Sequence, residues 1–124
     1  MSIWRRKREK TNTALRAEMA GTEYAAATRV LRKAERDQKL ADERLEKSAE
    51  RYRQEKLRLE GMSDRKVSEI RAVEIQVDVA HQEYLSASGS AERAHIARQL
   101  ATGRLRNAAR RYRYALEVLK LDRR

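Results

Sequence analysis

The chain has no cysteine, no proline and no phenylalanine, and only four glycines among its 124 residues. Without cysteine there is no disulfide framework, no thiolate metal site and no cysteine nucleophile. Redox chemistry therefore does not set its compartment, and a reducing cytoplasm is the simplest expectation. One tryptophan and five tyrosines are too few aromatics to fill a thick globular core. The core is expected to be a thin seam between helices. No apolar run approaches the roughly 20 residues that span a bilayer. The start, Met1-Ser2-Ile3-Trp4, turns basic at once, so a secretory signal is expected to be absent.

Ala, Leu, Glu, Lys and Arg dominate, and charged residues make up 40% of the chain. That is the composition of long helices and coiled coils, and the length suits one domain spanning residues 1–124. High charge with low hydropathy can also signal disorder. A sustained heptad argues against it. In the first half the a positions read Ala17, Tyr24, Leu31, Gln38, Leu45, Tyr52 and Leu59, with Thr13, Ala20, Ala27, Ala34, Ala41, Ser48 and Glu55 at d. In the second half a reads Ile70, Val77, Tyr84, Ala91, Arg98, Leu105, Tyr112 and Leu119. Its d series is Val73 followed by Ala80, Ala87, Ala94, Ala101, Ala108 and Ala115. Such patterning is the signature of helices packed along a narrow seam.

Between the two series stands Glu60-Gly61-Met62-Ser63-Asp64, where Gly61 can make a left-handed stop and Ser63 can cap the next helix. The sequence thus predicts an all-α, antiparallel two-helix hairpin with an Ala-rich seam. Arm one covers about 3–60, the turn 61–64, and arm two about 64–122. Folding back at Met62 and Ser63 sets Tyr24 against Ala101, Leu45 against Ala80, Tyr52 against Val73, Ala41 against Tyr84 and Thr13 against Tyr112. It also brings Glu23 beside Arg104 and Arg44 beside Glu83. Ser86-Ala87-Ser88-Gly89-Ser90 is a second weak point, a hinge or the corner of a three-helix arrangement, with Ser90 as a cap. Gly21 and Gly103 fall inside the helical pattern, at about 1 kcal/mol each relative to Ala.

Apolar residues also lie off the seam: Leu15, Met19 and Val30 on the first arm, Ile96 and Leu100 on the second. They are candidates for an oligomer or partner face, with a homodimer favoured. Candidate chemistry is sparse. His81 and His95 are fourteen residues apart, about 21 Å along a helix, too far to share a metal, and are expected near Asp42 and Glu35. The carboxylates are interleaved with Lys and Arg as on solvated helix faces, and no phosphate-cradling loop or catalytic triad is present. No cofactor is expected, and the chain reads as a non-enzyme.

Charge is the informative feature. Residues 1–16 carry Arg5, Arg6, Lys7, Arg8, Lys10 and Arg16 against Glu9, a net of +5. Residues 98–124 carry nine Lys or Arg against Glu117 and Asp122, a net of +7, while 17–97 is nearly neutral at −1. A hairpin lays the two basic segments side by side and brings Arg16 towards Arg111. Basic residues suit a helix C-terminus but not the start of one. Their concentration at one end implies a polyanion. Arg104, Arg106, Arg110, Arg111 and Arg113 form an Arg-rich stretch with Tyr114 outward, suited to phosphates and a stacked base. The leading expectation is therefore a scaffold docking its basic end on nucleic acid backbone, without strong sequence specificity. Ile3 and Trp4 beside the basic run could instead meet an anionic membrane surface. The third option is the acidic face of a protein partner. In length, composition and mid-chain turn the chain resembles the FliJ/YscO class of type III export stalk proteins. That likeness implies a helical hairpin whose terminal end engages an ATPase ring. It includes no shared motif, so it assigns no residue a role.

Overall fold

A computed structural model describes the backbone of residues 2–123 and the side chains from Asn12 to Arg123. Two helices account for nearly all of it, α1 over Ser2–Glu60 and α2 over Val67–Arg123. Among the described residues there is no strand, and the chain is the all-α helical hairpin that its heptads predict. The seam follows those heptads closely. The buried side chains are Ala17, Ala20, Ala27 and Ala34 on α1 and Val73, Ala80, Ala87, Ala91, Ala101 and Ala108 on α2, every one at an a or d position. Small side chains at the centre let the backbones approach, so the larger a residues bury only part of their surface.

The connection differs from the expected tight reversal. It takes six residues, Gly61 to Lys66, before α2 begins. No described glycine has positive φ, so Gly61 is not a left-handed stop. Its N–H instead continues the helix to the Leu57 carbonyl, and Met62 tightens the last turn by donating to Leu59. This i→i−3 closure meets the orphan carbonyl of Leu59 and needs no special residue. Ser63 lies within the connection and is not the cap of α2. The Lys66 carbonyl accepts the first bonds of that helix, from Glu69 and Ile70.

α2 passes without interruption through 86–90, with Ala87 fully buried and Ser90 inside the helix accepting from Arg93. Neither a corner at Gly89 nor a cap at Ser90 is present. Packing at this point is supplied by the a/d phase, which the Ser-Gly stretch leaves intact.

The chain divides into two compact units, one of residues 1–34 with 98–124 and one of residues 35–97. In both, the register is one heptad away from the expected pairing. In the unit of 35–97, Glu83 pairs with Arg51 at 2.8 Å, not with Arg44. The Tyr52 ring lies 4.9 Å from His81 and 5.9 Å from Tyr84, not opposite Val73. Tyr84 correspondingly leaves Ala41. In the terminal unit, Glu23 meets Arg111 at 3.7 Å, not Arg104. Tyr24 meets Tyr112 at 5.8 Å between ring centres, where Ala101 and Thr13 were the expected partners. A slide of seven residues leaves every a facing a d, so the pattern alone cannot choose between the two. The longer connection and the tyrosine contacts make the choice.

Candidate polyanion-binding site

The terminal unit holds the Arg-rich stretch. Residues 98–123 are rich in Ala, Leu and Arg, all strong helix formers, and Lys120 and Arg123 in the last turn complement the helix dipole. Ala101 and Ala108 are buried against α1, with Leu105 and Tyr112 half-buried beside them. Fixing this face turns the other positions outward. Arg106, Arg110 and Arg113 are exposed on the side away from α1, and the Tyr114 ring is 70% exposed among them. Tyr112 points inward as its a position requires.

Arg104 and Arg111 occupy the flank next to the seam. Arg111 does not approach Arg16; its Nη1 is 3.7 Å from the Glu23 carboxylate. The one-heptad slide substitutes this attraction for the expected repulsion. Both partners are more than half exposed, so the pair contributes no more than ~1 kcal/mol and yields to salt or a competing anion. Among the described residues, no ion pair or hydrogen bond engages the side chains of Arg104, Arg106, Arg110 or Arg113. These guanidiniums are therefore presented to solvent without a neutralising partner among the described residues. The basic run Arg5, Arg6, Lys7, Arg8 and Lys10, and with it Ile3 and Trp4, lies outside the described side chains.

Two glycines of this unit contrast. A Cβ on Gly21 would stand 3.2 Å from Tyr112 Cε1, so the bare backbone there admits the ring. A Cβ on Gly103 would meet nothing within 4 Å. Gly103 lies one turn before Arg106 and Asn107 on the outer surface, and packing within the chain does not call for it. Both glycines read as plain weaknesses in the sequence. Their heptad positions, one flanking the seam and one opposite it, were the signal that separates them.

Leu15, Met19 and Val30 are exposed on the outside of α1 and Leu100, 71% exposed, on the outside of α2. Leu15, Met19 and Leu100 sit at positions that turn each helix's back to the other. Ile96 is exposed in the unit of 35–97. His81 packs on Tyr52, and His95 Nδ1 lies 3.2 Å from Gln38 Nε2. Among the described residues no three His, Asp or Glu side chains cluster to hold a metal, and no helix is long and apolar enough to cross a membrane.

No protein-family model matches the chain, and neither a curated protein nor a solved structure is significantly similar to it. The site must be read from its own chemistry.

Proposed function

We propose that this protein is a non-enzymatic helical scaffold that docks its basic terminal unit on nucleic acid. The observation that carries the reading is the outward row of Arg106, Arg110 and Arg113, unneutralised by any described residue and accompanied by an exposed Tyr114. Arginine forks bind phosphate oxygens in bidentate fashion, and like charges held a helical turn apart repel unless an anion meets them. Nothing in the seam recovers that repulsion, because all three point away from it. Binding through such a row is led by the phosphate backbone. The acidic protein partner and the anionic membrane are the competing occupants. Two copies pair through the outside of α1, where Leu15, Met19 and Val30 are exposed, and so double the basic surface.

The experiment is equilibrium binding of the full chain to random-sequence duplex DNA at low salt. Wild type binds; the triple variant Arg106→Glu, Arg110→Glu, Arg113→Glu loses at least tenfold, since each reversed charge removes a contact to the DNA and sets a carboxylate against its phosphates. Equal binding by the two proteins would remove the row from the site. Wild type that binds anionic vesicles or an acidic peptide but no DNA would assign the unit to the competing partner.

A further inference from the structure

The row of three is only one side of a two-sided arrangement. Arg106 and Arg111 are five residues apart, which sets them about 140° apart around the helix at 3.6 residues per turn. Arg113 repeats the direction of Arg106 one heptad later, and Arg104 repeats that of Arg111 one heptad earlier. Two basic flanks therefore run along α2. The ridge between them is built from Gly103, Asn107, Arg110 and Tyr114, all exposed. Gly103 has open space where a side chain would be, so the ridge is narrowest there.

We infer that this ridge of α2 lies lengthwise in the major groove of duplex DNA, an inference that rests on the nucleic-acid reading above. Basic flanks that diverge by about 140° cannot both rest on a flat membrane, but they can reach the two phosphate walls of a groove. The B-form major groove is about 12 Å wide and admits one α-helix. Gly103 to Tyr114 rises about 16 Å, the length of roughly five base pairs. Gly103 lets the helix backbone come close to the groove floor. Arg110 and Asn107 then reach base edges, where Arg pairs with the O6 and N7 of guanine and Asn with the N6 and N7 of adenine. Arg106 and Arg113 contact one wall. Arg104 and Arg111 contact the other, Arg111 exchanging its weak tie to Glu23 for a phosphate. Single strands are served by a channel with several stacking platforms, and this ridge is convex with Tyr114 its one aromatic. Duplex RNA presents a major groove too narrow for side chains to read.

The test compares the full chain on duplex DNA, single-stranded DNA and duplex RNA of equal length, at one salt concentration. The bound duplex DNA is also probed with dimethyl sulfate, which methylates guanine N7 in the major groove. Duplex DNA should bind roughly tenfold tighter than the other two, with its guanine N7 atoms protected. Gly103→Leu, which changes no charge, should lower duplex-DNA affinity about tenfold and leave duplex RNA unchanged. Its helical content and unfolding midpoint, measured alongside, separate a blocked groove from a damaged fold. Equal binding to all three without N7 protection would overturn the groove inference while leaving the basic unit a nucleic-acid site. No binding to any would overturn both.

Discussion

Tyr112 packs directly against Gly21, its Cε1 atom 3.2 Å from where a Cβ would stand. The ring also meets Tyr24, at 5.8 Å between ring centres. Replacing each glycine by alanine isolates this role. Gly103→Ala should stabilise the protein by up to about 1 kcal/mol, because it gains helix propensity and touches nothing. Gly21→Ala gains the same propensity but must displace Tyr112, so it should gain less or lose stability. Chemical denaturation of the two variants checks the difference. Equal effects would mean the ring adapts freely.

Register is tested by crosslinking. The slide by one heptad sets Leu45 level with Ala87 in the unit of 35–97, where the sequence pattern alone had set it against Ala80. Leu45→Cys with Ala87→Cys should oxidise rapidly within one chain, and Leu45→Cys with Ala80→Cys should not, since cysteines more than about 7 Å apart at Cα cannot bridge. Mobility on a non-reducing gel distinguishes them, and the reverse outcome would restore the shorter turn.

Glu55 marks a local weakness of the same unit. It occupies a d position, and its Oε2 is buried without a hydrogen bond, with Arg58 no nearer than 3.9 Å. A buried polar atom left unsatisfied costs about 1–3 kcal/mol. Glu55→Leu should therefore raise the thermal midpoint, as apolar side chains at d do in any such seam. A lowered midpoint would show that the carboxylate is hydrated in solution.

How much of this was legible beforehand follows from the heptad. Which residues face inward, from Ala17 to Ala108, depends only on period and phase, and both are written in the sequence. Which inward residues meet depends on the connection, and a period-seven pattern is blind to a slide of seven. Arg104, Arg106, Arg110, Arg111, Arg113 and Tyr114 were identifiable by composition and charge. Their division into a ridge and two flanks follows from the helical period, whereas the pairing of Arg111 with Glu23 required the register. The contrast between Gly21 and Gly103 was legible only from their heptad positions, one flanking the seam and one opposite it.

Self-association has its own signature. Leu15, Met19 and Val30 are exposed within a unit that carries excess positive charge. Dimerisation through them brings like charges together, and salt screens that repulsion beyond about 8 Å. Sedimentation equilibrium should show a dimer that strengthens as salt rises. Met19→Glu should leave a monomer at every salt concentration. A wild-type protein monomeric throughout would show that this face is not an interface between copies.

The central claim, that an outward arginine row binds nucleic-acid phosphates, is tested most directly by the salt dependence of duplex-DNA affinity. Counterion release predicts a linear fall of log affinity with log salt, with a slope of about −0.9 per phosphate neutralised. Wild type should give a steep line, and Arg106→Glu, Arg110→Glu, Arg113→Glu should flatten it by at least two phosphates' worth, those of Arg106 and Arg113. Absence of binding at low salt, or a slope that the triple variant leaves unchanged, would contradict the account.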